Sequence, residues 1–255
     1  MNWKSILPGI CRTISVLENW PLYFMDRLGL VRGTKVTYRL RNGLKLEMRA
    51  GTWDGKILHE IFVAKCHNPK GFEISETDTV VDIGAQIGLF SCFAALQARK
   101  GKVYSFEPSP ENFAMLAHNV KLNNLRNVMA YHKAVTQKGG KISLFITDSH
   151  TGGHSIYKSA ASTRKVSVEA ITLAKIIEEN NLRKIDFLKM DCEGAEYEIL
   201  FNLPRAYFER IGRIAMEYHN LDESRNVAKL ADFLGKQGYR VATDHAITAL
   251  YAERI

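Results

Sequence analysis

An α/β fold built on a mostly parallel, doubly wound sheet is predicted by three features of this 255-residue sequence. From residue 79 onward, short β-branched runs alternate with amphipathic helical stretches, the pattern of parallel strands joined by right-handed crossovers. The first run passes through a glycine turn straight into a helix. The last two runs are separated by only a few residues around Asp244 and His245, too few for a parallel crossover, so the final strand must be antiparallel.

Taken in order, strands are expected near 79–83, 102–107, 127–132, 184–190, 212–219, 238–243 and 247–253. Helices are expected near 88–99, 111–122, 172–181, 195–202 and 222–236. These place an α/β domain at residues 76–255, preceded by an extension at residues 1–75. In the extension, Trp3, Ile6, Leu17, Trp20, Leu22, Phe24 and Leu28 suggest short amphipathic helices interrupted at Pro8 and Pro21. They would pack on the domain or touch a membrane surface. Two alternating runs flank Asn42-Gly43, a hairpin signal. Asp54 to Cys66 reads as a helix, with Ile57 and Ile61 spaced for one face and Asp54 as a cap. Between strands near 141–146 and 165–168 lies Thr147 to Arg164, rich in Ser, Thr, Gly and His. A loop this long in a compact domain is functional or disordered, and a lid over an active site is the reading favoured.

Composition narrows the function classes. The 46% hydrophobic and 24% charged residues are those of a globular chain. Cys11, Cys66, Cys92 and Cys192 form no CxxC pair, against a zinc ribbon, a redox dithiol or a disulfide framework. Neither a signal peptide nor a membrane span is read, so a cytoplasmic location is expected. The net charge of +8 is spread over scattered Lys and Arg without a block, as solvated faces would be, so no specific nucleic acid is expected and a peripheral membrane contact stays open. Oligomeric state leaves no mark in the sequence.

The first strand ends Val80-Val81-Asp82-Ile83-Gly84-Ala85-Gln86-Ile87-Gly88, a D-x-G-x-x-x-G spacing. Gly84 permits a tight turn and close approach of a ligand, and Gly88 permits close packing at the helix start. The G-x-G-x-x-G of a dinucleotide site is missing, so there is no evident pyrophosphate cradle. The second strand ends at Glu107, 25 positions after Asp82. A carboxylate there can accept hydrogen bonds from both hydroxyls of a ribose. Strand, turn, helix, strand and terminal acid in this order point to a nucleoside cofactor. S-adenosyl-L-methionine suits the site: its carboxylate could sit on free backbone N–H groups and its ammonium could be drawn to Asp82. The third strand ends Tyr131-His132-Lys133-Ala134-Val135, where an adenine would be flanked, although His132 could equally be a solvated strand-end residue.

The strings VVDIGAQIGLFS, FEPSPENF, KAVTQKGG, IDFLKMDCEGAEYEIL and MEYHN, in this order within roughly residues 36–220, resemble the FkbM family of methyltransferases. The resemblance implies a Rossmann-like class I methyltransferase fold, with a mostly parallel seven-stranded sheet, an antiparallel last strand and the N-terminal helical and hairpin extension. It implies S-adenosyl-L-methionine as cofactor, held by Asp82, Gly84, Ala85, Gln86, Gly88, Glu107, Pro108, His132, Ala134 and Asp191. It further implies O-methylation of a hydroxyl on a sugar, a glycan or lipid precursor, or a secondary metabolite. Gln86 departs from the Asn usual in the family's turn; the longer amide keeps its contacts only if the turn shifts.

For the reaction itself, Asp191 stands at the carboxyl end of the fourth strand, as general base, metal ligand or helix N-cap. Glu217 and His219 end the fifth strand on one face, as a proton-accepting pair or a plain hydrogen-bonded pair. His154 on the long loop is a further candidate. No metal is expected, since His219 with one or two carboxylates makes a poor octahedral oxygen site. The alternatives are an RNA ribose methyltransferase, a cofactor-binding protein without catalysis, and a nicotinamide oxidoreductase. The segment Asp-Cys-Glu-Gly after the fourth strand lacks the Asn/Asp-Pro-Pro-Tyr/Phe element of base methylation.

Overall fold

The computed structural model describes residues 3–147 and 151–255. The chain opens with α1 (Trp3–Val16) and α2 (Trp20–Arg27). The helix α1 runs through Pro8, which in its second turn removes a single intrahelical bond, so the expected interruption is absent. Pro21 falls in the first turn of α2, where no N–H is needed, and so begins that helix. The Trp3 and Ile6 side chains lie outside the described residues.

The expected hairpin follows as β1 (Lys35–Arg39) and β2 (Lys45–Arg49), turning at Gly43 with φ +93°. Alternation sends Val36, Tyr38, Leu46 and Met48 inward. Buried Asp26 fastens the hairpin to α2, accepting from Tyr38 Oη at 2.7 Å and from the Gly51 amide at 2.7 Å. The single helix expected over 54–66 is instead α3 (Asp54–Leu58) running into a π-helical turn at His59–Ala64, closed by Lys65 with φ +57°. Asp54 is no cap: its side chain is drawn away by the Arg49 guanidinium, with Nε at 2.9 Å and Nη2 at 3.0 Å.

The domain then alternates β3 (Thr79–Ile83), α4 (Leu89–Gln97), β4 (Lys102–Phe106), α5 (Pro110–Leu122) and β5 (Val128–Tyr131). A small three-stranded sheet follows, β6 (Ala134–Val135), β7 (Gly140–Ile146) and β8 (Arg164–Ile171), of which the sequence showed only the middle and part of the last. The chain continues through α6 (Leu173–Glu179), β9 (Ile185–Met190), α7 (Glu196–Phe201), a short α8 (Arg205–Phe208), β10 (Ile211–Glu217), α9 (Val227–Lys236), β11 (Tyr239–Asp244) and β12 (Ala249–Arg254). The helix α9 begins five residues later than expected. Asp222 draws the Ser224 and Arg225 amides into a turn, and Asn226 caps the helix by accepting from Lys229.

The main sheet has seven strands in the order β11-β12-β10-β9-β3-β4-β5. The last strand, β12, is antiparallel to both its neighbours, as the short connection required. Alternate residues of the central strands feed two cores. Val81, Ile83, Leu188, Met190 and Ile214 face α6, α7 and α9. Val80, Val103, Phe187 and Ala215 face α4 and the extension, where Leu17, Tyr38, Leu46 and Met48 join the same apolar cluster. The extension thus completes one layer of the domain, and Asn119 of α5 holds β2 by exchanging hydrogen bonds with the Glu47 backbone.

Candidate active site

Above the carboxyl ends of β3, β4, β9 and β10 lies a cleft of about 1160 Å³, its open mouth included. Its floor is the turn after β3. Gly84 has φ +75°, and a Cβ there would stand 1.7 Å from the Asp191 carbonyl oxygen. Only glycine lets β3 and β9 splay this closely. Gly88 does not face the cleft; a Cβ would meet Leu116 Cδ1 at 2.4 Å, so its role is the packing of α4 on α5.

Every amide of the turn is already engaged. Gly84 and Ala85 donate to the Phe106 carbonyl, Gln86 to Glu107 Oε2 at 2.8 Å, Ile87 to Gln86 Oε1 at 2.9 Å, and Gly88 to the Ala85 carbonyl. The expectation of free N–H groups for a cofactor carboxylate is therefore corrected. The first turn of α4, at Leu89 and Phe90, lines the cleft and carries amides without intrahelical partners.

Asp82 also differs from expectation. It is fully buried beneath the cleft, accepts from Ser91 Oγ at 2.6 Å, and lies 3.2 Å from Lys189 Nζ. So enclosed, it cannot touch a cofactor ammonium; it holds Lys189, which does line the cleft and donates to the Gly84 carbonyl at 2.8 Å. Burial works against the Lys189 charge, but Asp82 and Asp191 outweigh it and hold its pKa above the ordinary value.

Glu107 follows β4 directly, faces the cleft, is buried, and accepts from the amides of Gln86 and Ser109 at 2.8 Å each. Burial pushes its pKa up to about 7 against the pull of these donors. Each carboxylate oxygen keeps a second lone pair for a ribose hydroxyl. Beside it, Asn112 Oδ1 is buried without a partner at the cleft wall, which suits a ligand that brings its own donors. Pro108, Ala134, Val135 and Leu144 complete an apolar wall. His132 is outside: exposed, stacked on Phe113 at 5.0 Å, with Nε2 3.0 Å from the Pro108 carbonyl. A nucleoside with an amino-acid tail fits this set of groups.

The far end of the cleft is acidic. Asp191, Glu193 and Glu217 all line it. Burial first, then the Asp191 charge, pushes Glu193 and Glu217 each up to about 7. His219 was expected beside Glu217 on the strand, but β10 ends at Glu217, the backbone turns, and the imidazole leaves the cleft. Its Nε2 lies 3.4 Å from Glu193 and its Nδ1 3.3 Å from buried Glu196. Burial disfavours its charge, but Glu196, Glu193 and Asp191 outweigh that and raise its pKa to about 9. Such an imidazolium cannot serve as the base near neutral pH. Among the described residues no group of three or more His, Cys, Asp or Glu side chains is arranged to hold a metal ion.

The long loop reaches the cleft. Gly152, His154 and Ile156 line it, and Ser155 pairs with Phe145 and donates through Oγ to the Glu193 carbonyl at 2.7 Å. Residues 148–150 of the loop lie outside the described residues. Lys189, His67, Asn112 and Glu193 line the cleft as well, and none of them was among the residues expected there. Asn112 stood in FEPSPENF and Lys189 in FLKMD, where a motif signal was available. His67, held neutral with its pKa lowered to about 4 by burial and Lys189, carried none.

The methyltransferase FkbM domain matches residues 82–241. The chain is 24% identical to Methyltransferase 1 of Beauveria bassiana over 72% of its length and 80% of that protein's. It is 26% identical to the 31-O-demethyl-FK506 methyltransferase FkbM of Streptomyces tacrolimicus, over 82% of its length and 90% of that protein's. The crystal structure of methyltransferase FkbM from Methylobacillus flagellatus KT superposes with a TM-score of 0.50 at 18% identity, covering 72% of this chain and 45% of that one. The shared fold is the Rossmann-like methyltransferase sheet.

Proposed function

Since this chain belongs to the FkbM methyltransferase family, we propose that it methylates a hydroxyl oxygen of a small molecule: a sugar, a glycan or lipid precursor, or a secondary metabolite. It is an S-adenosylmethionine-dependent enzyme. The observation that carries the reading is a single cleft with Glu107 and an apolar wall at one end and Asp191, Glu193 and Glu217 at the other. The first suits a nucleoside and the second suits a group that must lose a proton. The Streptomyces relative is named for transfer to an oxygen, which supports the same choice.

Bound S-adenosylmethionine supplies an electrophilic methyl group with an excellent leaving group, so the chain's task is alignment and proton removal. Glu107 would hold the ribose, Asn112 would accept a hydrogen bond, and Ala134, Val135 and Leu144 would enclose the base. Asp191 is the carboxylate of the β9 end available to the ammonium. Glu217, poised near neutrality, takes the proton from the substrate hydroxyl. Glu193, beside the His219 imidazolium, lines the same end of the cleft, and Gly152, His154 and Ile156 cover it.

The test compares extracts of cells with and without the gene by mass spectrometry, followed by reaction of purified enzyme with the candidate. A metabolite that gains one methyl group on oxygen supports the reading. Methyl groups found only on nitrogen, on carbon or in RNA would overturn it.

A further inference from the structure

The carboxylate of Asp54 has no solvent exposure and takes five donors. Oδ2 accepts from Arg49 Nε at 2.9 Å and from the Arg49 amide at 3.1 Å. Oδ1 accepts from Arg49 Nη2 at 3.0 Å, Gln86 Nε2 at 2.8 Å and Thr151 Oγ1 at 2.9 Å. Arg49 belongs to the extension, Gln86 to the cofactor turn and Thr151 to the long loop. Arg49 neutralises the buried charge, so the other two bonds act as a clamp between two parts of the site.

The clamp has two arms that lead to Glu107. Gln86, whose left-handed backbone (φ +51°) points its amide inward, donates from its main chain to Glu107 Oε2 at 2.8 Å. On the other arm the Thr151 carbonyl accepts from Asn112 Nδ2 at 3.0 Å, and the Asn112 amide faces the Glu107 carboxylate. Asp54 thus stands at the head of two hydrogen-bonded arms, Gln86 to Glu107 and Thr151 to Asn112, which end facing each other and draw on the extension, the turn after β3, the end of β4, α5 and the loop. Asp54, Glu107 and Asn112 are buried and Gln86 and Thr151 half-buried, and in such a connected polar network each bond strengthens its neighbours, so loss of one weakens the rest.

We infer that Asp54 is a positioning residue that links the loop to the cofactor turn, so that a nucleoside held on Glu107 tightens the loop over the substrate end of the cleft. The inference rests on the cofactor site assigned above. Gln86 and Thr151 are two handles on the same oxygen, which lets the hub be tested without uncovering the Arg49 charge.

Exposed Lys158 supplies a tryptic site in the loop. The experiment measures cleavage after Lys158 with and without S-adenosylhomocysteine, alongside its affinity by calorimetry. The proteins are the intact wild type, Thr151→Val, Gln86→Asn and the double variant, each checked for a cooperative melt. In the wild type the ligand should slow cleavage by about tenfold, the worth of one or two hydrogen bonds. Each single variant should cut that protection to within about twofold, and the double variant should be no worse than the weaker single, since both act through Asp54. Full protection in Thr151→Val, or additive losses in the double variant, would overturn the link. A wild type that binds the ligand without protection overturns it and leaves the cofactor site standing, whereas no binding at all removes both.

Discussion

His219 is held between two carboxylates, its Nε2 3.4 Å from Glu193 and its Nδ1 3.3 Å from Glu196. The folded imidazole titrates at about 9, above its ordinary 6.5, so the stabilisation it brings is complete below 6.5 and is lost as pH rises through about 9. The wild-type Tm should therefore fall across that window. His219→Gln should melt lower at pH 6 and show a flatter profile from there to pH 9. Melts by circular dichroism check this; parallel profiles for the two proteins would remove the imidazolium from the account.

Glu217 opens into the cleft, with its pKa pushed up to about 7 by burial and Asp191. As the proton acceptor it must be ionised, so turnover should decline as pH falls through about 7. Glu217→Gln should lower kcat by about 10²–10⁴-fold while leaving S-adenosylhomocysteine affinity nearly unchanged. Single-turnover kinetics on the identified substrate separate the two quantities. A variant that keeps its turnover would pass the role of base to Glu193.

Glu107 carries the opposite signature, on binding rather than turnover. Glu107→Gln should weaken S-adenosylhomocysteine by about 1.5–3 kcal/mol, the worth of hydrogen bonds to a charged group. Because burial pushes Glu107 up to about 7 in the folded chain, wild-type affinity should fall as pH drops below 7, and the variant should lack that dependence. Calorimetry at pH 6 and 8 reads both effects, and equal affinity in the two proteins would take Glu107 out of the site.

Gly84 tests the floor of the cleft. Gly84→Ala adds a Cβ 1.7 Å from the Asp191 carbonyl, at φ +75°, with backbone rather than a flexible side chain as the obstacle. Overpacking with backbone strain is expected to cost about 3 kcal/mol or more and to abolish cofactor binding. Denaturant unfolding gives the first number; a loss below about 1 kcal/mol would mean that β3 and β9 separate more readily than their register implies.

The order strand, turn, helix, strand from residue 79 was legible because its signals are local. Parallel strands buried on both faces read as continuous apolar runs, Gly84 and Gly88 mark a turn few other residues can make, and Glu107 stands where a strand must end. The antiparallel last strand was legible for a geometric reason, the brevity of its connection. Tertiary structure alone decided which of these residues meets a ligand and which holds another side chain. Asp82 and Lys189 are 107 positions apart in a chain of 255, and only the pairing of β3 with β9 turns the acid inward and leaves the amine at the cleft. Asp54 read as a helix cap because capping is what a lone Asp before an apolar run does locally; Arg49 and the loop outcompeted that role. His219 shared a face with Glu217 on the assumption that β10 went two residues further, and its actual partners lie on the turn after β9 and on α7. A residue's backbone preference is written in its neighbours, whereas the partner of a buried charge is chosen by whichever opposite charge the packed fold brings within reach.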